Sequence, residues 1–212
     1  MRLIGITGFK TSGKDTTAKG VALALPEKNV KRVAFADKLK ELTALTFGIQ
    51  DDLIATMDYA KQAWTLACYD DDGNELFDIT GRAILQNIGQ GARQVFQSDI
   101  WVDAVLPKYT GNSPAGSGVD QAVHDMYPGV DVLVVTDVRY PNEADRVHQL
   151  GGEVWSIIRP GTESDGHSSE IPLPSEKVDL SIFNGYTIET LYQSAANALI
   201  GNVHPFRENA GV

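Results

Sequence analysis

The sequence predicts an α/β protein with a five-stranded parallel sheet covered by helices on both faces. Short segments rich in Val, Ile and Phe alternate with helical periodicity along most of the chain. A glycine-rich turn follows the first of these segments and opens a helix. With 212 residues, 42% of them hydrophobic, the chain can bury one sizeable core, so a single domain spanning 1–212 is the simplest organisation.

The elements follow in order along the chain. The five expected strands are residues 2–7, 32–35, 131–136, 153–158 and 180–183. Residues 68–79 contain an Asp-Asp-Asp-Gly-Asn turn signal and predict a hairpin. Residues 110–129 are rich in Gly, Ser and Pro and predict a mobile loop.

Residues 8–16, GFKTSGKDT, have the spacing of a P-loop. In such a loop the glycines let successive backbone N–H groups face one anion, and Lys14 adds a positive charge for the outer phosphates. The helix expected over residues 13–25, before Pro26, would direct its positive N-terminal dipole at the same phosphates. The pattern predicts a nucleoside triphosphate ligand. An ordinary strand-to-helix turn is the alternative, and the GxGxxG fingerprint of dinucleotide folds is absent.

The residue after Lys14 departs from the general motif. Asp15 stands where a Ser or Thr hydroxyl usually holds Mg²⁺, and Thr16 follows one place later, as in small-molecule kinases of the adenylate kinase type. We therefore expect Mg²⁺ near Asp15 and Thr16. Whether Asp15 contacts the metal directly or through water is left open.

Net charge and cysteine content limit which binding partners and which cellular location are expected. The formal charge of −10 argues against a nucleic-acid polymer as ligand. No apolar run reaches membrane-spanning length, and the chain opens directly into a strand rather than a signal segment, so no membrane partner is expected. The single Cys68 excludes an intrachain disulfide and fits a cytoplasmic location, although a buried thiol explains it equally well. A monomer and a homodimer both stay open.

A helix expected over residues 80–96 carries a polar stripe. Arg82, Gln86, Gly89 and Arg93 fall at i, i+4, i+7 and i+11, apart from an apolar stripe that can pack into a core. The two guanidinium groups are candidates for gripping an acceptor phosphate, and a solvated surface is the alternative. Gly89 and Gly91 each cost a helix about 1 kcal/mol relative to Ala, which predicts close approach of a ligand or a neighbouring backbone.

The segment VLVVTDVRYPNEAD places charges at a strand end. Asp137 is expected at the carboxyl edge of the sheet, where it could hold Mg²⁺ or a substrate hydroxyl. Arg139 falls on the same side if strand geometry persists. Pro141 then starts a helix, and Glu143 in its first turn is expected to favour the helix dipole rather than to act in catalysis.

Several motifs together resemble one family. GFKTSGKDTTA, FADKLKE, GRAILQNIGQGARQVF with DIWV, VTDVRYPNEAD, and IIRP with HSSE resemble, in this order, the deoxynucleoside monophosphate kinases encoded by bacteriophages. The likeness runs with gaps from Ile4 to about Leu191. It implies an adenylate-kinase-like P-loop fold that transfers the γ-phosphate of ATP to a deoxynucleoside 5′-monophosphate.

The resemblance also implies roles for residues. The residues expected to contact ATP are Gly8, Lys10, Thr11, Ser12, Gly13, Lys14, Asp15, Thr16, Thr17 and Asn184. Those expected to contact the monophosphate are Asp37, Lys40, Arg82, Gln86, Arg93, Asp137 and Arg139, the first five within a monophosphate-binding arm of residues 36–108. Arg159 would belong to a lid that closes over ATP, formed by about residues 160–176 and containing His167 and Glu170. Lys14, Arg139 and Arg159 would act on the transferred phosphate, and Asp15, Thr16 and Asp137 on the metal.

Other readings stay open for some of these residues. Asp37 could cap a helix, and Lys40 could be a solvated side chain. Asn184, which the resemblance makes a candidate adenine contact, is explained equally well by an Asn-Gly turn. Trp64 and Trp101 could be core aromatics rather than base-stacking platforms. No general base is required, because a nucleotide monophosphate has a second phosphate pKa of about 6. A related kinase acting on dephospho-coenzyme A and a nucleotide-binding regulatory protein are the competing functions.

Overall fold

The computed structural model describes residues 1–48, 65–114, 116–162 and 171–201. The chain divides into two compact units. The first, called the sheet unit, comprises Met1–Ala34 with Val105–Val212. The second, called the helical unit, is Phe35–Ala104. It nearly coincides with the range expected for a monophosphate-binding arm, and that role stays a prediction.

Secondary structure alternates along the chain as the sequence predicts. The strands within the described ranges are β1 (Arg2–Thr7), β2 (Val30–Val33), β3 (Thr65–Tyr69), β4 (Glu75–Thr80), β5 (Val132–Val135), β6 (Glu153–Ile158) and β7 (Leu180–Phe183). The α-helices there are α1 (Lys14–Ala24), α2 (Phe35–Phe47), α3 (Gly81–Val95), α4 (Ile100–Asp103), α5 (Gln121–Met126), α6 (Pro141–Gln149) and α7 (Ile188–Leu199). None of the described helices is long and apolar enough to cross a membrane.

The sheet unit contains five parallel strands in the described residues, in the order β2-β5-β1-β6-β7. Because β1 is central, the loop that follows it emerges in the middle of the carboxyl edge. The chain crosses from β1 outward to β2 and later returns to the other side of β1. The predicted five-stranded parallel sheet is confirmed.

Helices cover both faces of this sheet. Ile4 and Ile6 of β1 are fully buried in a cluster with residues of α1 and α7, which pack against each other on one face. Gly5 points to the opposite face, where a Cβ atom would approach the side chains of Val138 and Val147 within 2.9 and 3.3 Å. Val147 belongs to α6, which packs on β1 and β6. The central strand β1 is therefore apolar on both sides, as a parallel sheet requires, whereas Lys31 and Arg32 of the edge strand β2 are exposed.

Two strand boundaries differ from the sequence expectation. β2 ends at Val33, because buried Phe35 already begins α2 instead of closing the strand. β5 ends at Val135, and residues 136 and 137 form a turn. The alternation that would place Asp137 and Arg139 on one side does not persist beyond the strand.

The predicted loop over residues 110–129 contains a helix, α5. Asp120 is its N-cap, and its carboxylate accepts hydrogen bonds from the backbone N–H groups of Ala122 (2.9 Å), Thr110 and Gly111 (both 3.0 Å). Although burial opposes ionisation, these hydrogen bonds hold the pKa of Asp120 below its ordinary value. The loop is thus closed around one carboxylate, a feature its Gly and Ser content does not reveal.

The helical unit contains the predicted hairpin, formed by β3 and β4. Asp70 closes its turn by accepting hydrogen bonds from the N–H groups of Asp72 and Asn74, at 3.0 and 2.8 Å. Trp101 is buried and donates its indole N–H to the carbonyl of Gly89 at 2.9 Å, so it is a core aromatic. Trp64 and the side chain of Cys68 lie outside the described part of the chain.

Candidate active site

The loop between β1 and α1 has a backbone that needs glycine at two positions. Gly8 has φ 143°, and a Cβ there would lie 2.6 Å from both the carbonyl of Ile157 and the hydroxyl of Ser12. Gly13, at the N-cap of α1, has φ 106° and no side-chain cap. Thr11 is also left-handed, with φ 63°. The glycines that define the motif are therefore required by its geometry.

Lys14 lies at the start of α1 with only 9% of its surface exposed. Its ammonium group donates to the carbonyl oxygens of Gly8 at 2.8 Å and Phe9 at 2.7 Å. A buried ammonium group binds anions strongly, because charge-assisted hydrogen bonds are the stronger ones and are shielded from water there. The first turn of α1 adds the positive end of its dipole beside this charge. This corner of the sheet unit is therefore suited to bind an anion.

The remaining loop residues differ in exposure. Lys10 and Thr11 are exposed, whereas Ser12 and Thr17 are fully buried. The Thr17 hydroxyl donates to the Gly13 carbonyl at 3.0 Å and so closes the first turn of α1. Lys10 and Thr11 can meet a ligand directly. Contact of Thr17 with a nucleotide stays a prediction.

Two side chains that directly follow β6 and β7 donate hydrogen bonds to carbonyl groups of the loop between β1 and α1. Arg159 Nη1 donates to the Thr11 carbonyl at 2.9 Å. Asn184 Nδ2 donates to the Ser12 carbonyl at 2.7 Å, while its own N–H donates to Ile158 O at 2.7 Å. Both residues were predicted from the sequence, and the structure places both against the loop. Residues 163–170, with His167 and Glu170, lie outside the described part.

Asp15 contacts a residue that the sequence analysis missed. Its Oδ1 accepts hydrogen bonds from Arg32 Nη2 at 3.0 Å and Nε at 3.2 Å. The Asp15 side chain is 73% exposed and Arg32 is 42% exposed. No local signal marks this pair, because it depends on β2 returning beside α1. The carboxylate can still be reached by solvent ions.

Oxygen ligands suitable for Mg²⁺ occur at the carboxyl edge, although the described residues contain no group of three or more acidic, His or Cys side chains placed to hold a metal ion by themselves. They are the carboxylates of Asp15 and Asp137 and the hydroxyl of Thr16, and of these three residues Thr16 and Asp137 are partly buried. A metal carried by nucleotide phosphates needs only one or two protein oxygens. This set of donors fits that kind of binding, and direct ligation by any of the three stays a prediction.

The turn after β5 is hydrogen-bonded to both neighbouring strands, β2 and β1. The N–H groups of Thr136 and Val138 donate to the carbonyls of Val33 and Ile6, at 3.0 and 3.1 Å. Asp137 lies between these two anchored residues, two positions after Val135, the last residue of β5. Buried Glu143 accepts hydrogen bonds from the backbone N–H groups of Arg139 (2.7 Å) and Tyr140 (3.0 Å). Glu143 therefore stabilises the start of α6, as the sequence predicts.

The helical unit carries the predicted acceptor residues. Arg82, Gln86 and Arg93 are half-buried on α3, along the stripe that contains buried Gly89. A Cβ at Gly89 would meet Leu39 of α2 at 3.0 Å, so helix packing explains this glycine. A Cβ at Gly91 would meet no described atom within 4 Å, so close approach of the described chain does not explain this glycine.

Asp37 and Lys40 are half-buried on α2. Because α2 begins at Phe35, Asp37 lies inside its first turn and not at the N-cap. There its carboxylate favours the helix dipole, and the alternative that Asp37 caps the helix start stays open. Contact of Asp37 or Lys40 with a nucleotide stays a prediction.

The five-stranded parallel sheet covered by helices defines an α/β protein, in which a glycine-rich loop with a buried lysine leads from the central strand into a helix. More particularly, the chain belongs to the deoxynucleotide monophosphate kinase family, whose family model matches residues 82–195. This finding confirms the family that the ordered motifs indicate.

Relatives match along nearly the whole chain. The "Putative deoxynucleotide monophosphate kinase" of Acanthamoeba polyphaga mimivirus is 32% identical over 205 residues, covering 91% of this chain and 93% of its own length. The deoxynucleotide monophosphate kinases of Escherichia phage RB69 and Enterobacteria phage T4 are 28% and 25% identical. Each alignment with a phage enzyme covers 94% of this chain, and 100% and 99% of the RB69 and T4 chains respectively.

Proposed function

We propose that this chain transfers the γ-phosphate of ATP to a deoxynucleoside 5′-monophosphate and releases the diphosphate. The observation that carries the proposal is Lys14, a buried cation held by loop carbonyls at the N-terminus of α1. Membership of the deoxynucleotide monophosphate kinase family supports the choice of acceptor. ATP phosphates would draw Lys14 away from the carbonyls of Gly8 and Phe9, because a phosphate oxygen is the stronger acceptor.

The chain's own residues have to neutralise charge and orient the reactants. Lys14, Arg139 and Arg159 are proposed to stabilise negative charge on the transferred group, since phosphoryl transfer demands little covalent chemistry of the protein. Arg82, Gln86 and Arg93 on α3 are proposed to hold the acceptor phosphate, with Asp37 and Lys40 on α2 binding the same nucleotide. No protein base is needed, because the attacking phosphate oxygen is largely ionised at neutral pH.

Mg²⁺ would be held by phosphate oxygens together with Thr16, Asp137 or Asp15. When bound, it neutralises charge on the β- and γ-phosphates. Arg159 already contacts the loop at Thr11, which favours a role for it at the phosphates. The lid expected over residues 160–176 and an adenine contact by Asn184 stay predictions.

Replacing Lys14 tests this assignment. Lys14→Ala should lower kcat by roughly 100-fold or more, because one preorganised charge on the transferred phosphoryl group is lost. The measurement is ADP formation in the presence of ATP, Mg²⁺ and a deoxynucleoside monophosphate, with circular dichroism to verify folding.

Lys19→Ala is the matched control, since Lys19 is exposed on the same helix. It should leave turnover within about twofold of the unmodified chain, as surface substitutions away from a site usually have small effects. Near-normal turnover of a folded Lys14→Ala variant would contradict the proposed function of this loop.

A further inference from the structure

Asn184 makes two hydrogen bonds that join the end of β7 to β6 and to the loop between β1 and α1. Its backbone N–H donates to Ile158 O at 2.7 Å, which fixes the residue directly beyond β7. Its side-chain Nδ2 donates to the Ser12 carbonyl, also at 2.7 Å. A strand end of the sheet is thereby joined to the middle of the phosphate-binding loop.

The space around this amide excludes a side chain at residue 13. A Cβ on Gly13 would lie 2.7 Å from Asn184 Nδ2 and 3.1 Å from Leu191 Cδ2. Gly13 is therefore required both by its φ of 106° and by the position of Asn184. The Ser12 carbonyl belongs to a residue with no exposed surface, where a hydrogen bond is shielded from water.

The hydrogen bond fixes the direction of one peptide group. In a planar trans peptide, the carbonyl of Ser12 and the N–H of Gly13 point in opposite directions. Holding the carbonyl against Asn184 turns the Gly13 N–H away from Asn184. That N–H lies at the N-terminus of α1, next to Lys14, where the proposed phosphate ligand would bind.

We propose that Asn184 is a positioning residue, which orients the Ser12–Gly13 peptide so that its N–H group can bind a phosphate oxygen. This inference rests on the proposed function, since it assumes a phosphate ligand at the loop. It differs from an adenine contact because the Asn184 side chain acts on the loop and not on the base. Its effect is therefore the same for every ligand that carries the phosphate chain.

Ligands with and without a base separate the two roles. In isothermal titrations, Asn184→Ala should weaken ATP, GTP and inorganic tripolyphosphate by the same factor, about tenfold, as expected for loss of one hydrogen bond that organises a charged site. A loss confined to ATP would overturn the inference and assign Asn184 to the base. An affinity unchanged for all three ligands would overturn it as well.

Asn184→Leu distinguishes hydrogen bonding from packing, since leucine has a similar volume and no donor. It should lose as much affinity as Asn184→Ala, whereas recovery of binding would mean that volume alone matters. Asn197→Ala on α7, whose amide oxygen accepts from Gln193, is the matched control and should bind all three ligands normally.

The NMR resonance of the Gly13 amide reports directly on the Ser12–Gly13 peptide group. The Gly13 amide resonance should shift on addition of tripolyphosphate to the unmodified chain, and this shift should be lost in the folded Asn184→Leu variant. An equal shift in both proteins would overturn the inference. An unmodified chain that binds none of the three ligands would overturn the proposed function and this inference together, whereas normal binding by the variants overturns the inference alone.

Discussion

At the scale of single residues, Asp15 shows how a motif position can be read in two ways. The sequence suggests a metal ligand, because Asp15 replaces the hydroxyl that usually follows the loop lysine. The structure shows its carboxylate in contact with Arg32 at 3.0 Å. An exposed ion pair of this kind contributes about 0–1 kcal/mol to stability, so its contribution to folding does not account for an Asp at this position of the motif.

Replacing each member of the pair separates these roles. Asp15→Ser should keep most of the phosphoryl transfer activity if Thr16 and water hold Mg²⁺, and Arg32→Ala should then have a similarly small effect. The measurement is kcat over a range of Mg²⁺ concentrations for both variants. Activity that collapses only in Asp15→Ser and partly recovers at high Mg²⁺ would instead establish Asp15 as a direct ligand.

Local residues could be predicted from the sequence, whereas distant contacts could not. The role of Glu143 follows from its place two residues after Pro141, and Lys14 follows from the loop spacing. By contrast, the contact of Asn184 with Ser12 joins residues 172 positions apart, and Asp15 meets Arg32 across 17 positions. Such contacts depend on how strands return to the loop, which neither propensity nor spacing encodes.

At the scale of secondary-structure elements, α3 carries the most specific prediction. Arg82→Ala or Arg93→Ala should weaken binding of the monophosphate far more than binding of ATP. Loss of one charge-assisted contact to a phosphate should cost about 1.5–3 kcal/mol. Isothermal titration with each nucleotide separately measures the difference.

Two comparisons sharpen this test. Lysine at either position should restore little affinity, because it lacks the planar guanidinium fork. Gln90→Ala is the matched control, since Gln90 is exposed on the same helix. Equal losses for the monophosphate and ATP would refute the assignment of α3 to the acceptor.

Boundaries of elements were less predictable than their existence. The β2 boundary shifted by two residues, because Ala34 and Phe35 suit a buried strand and a buried helix start equally well. In residues 110–129, Gly and Ser content concealed α5, whose formation depends on the buried Asp120 cap. The type of element was predicted correctly where the periodicity is long, as in α3. It was missed where a side-chain hydrogen bond decides the conformation, as in α5.

At the scale of the whole molecule, alternating strands and helices were enough to predict the five-stranded parallel sheet. The strands β1 and β5 have short apolar sequences that are buried on both faces, and the loop after β1 indicates the carboxyl edge as the binding edge. No change in composition marks the bounds of the helical unit at residues 35 and 104, so only the family resemblance, with its arm expected over residues 36–108, indicated a separate segment there. The choice between monomer and homodimer, a cytoplasmic location and the expected lack of nucleic-acid or membrane partners stay predictions.

The central claim is transfer of phosphate from ATP to a deoxynucleoside monophosphate. The most direct measurement incubates the purified chain with ATP, Mg²⁺ and each of a panel of deoxy- and ribonucleoside monophosphates and dephospho-coenzyme A, with products separated by chromatography. We predict that at least one deoxynucleoside diphosphate forms together with an equal amount of ADP. Phosphorylation of dephospho-coenzyme A alone, or slow ATP hydrolysis that no acceptor accelerates, would contradict the claim.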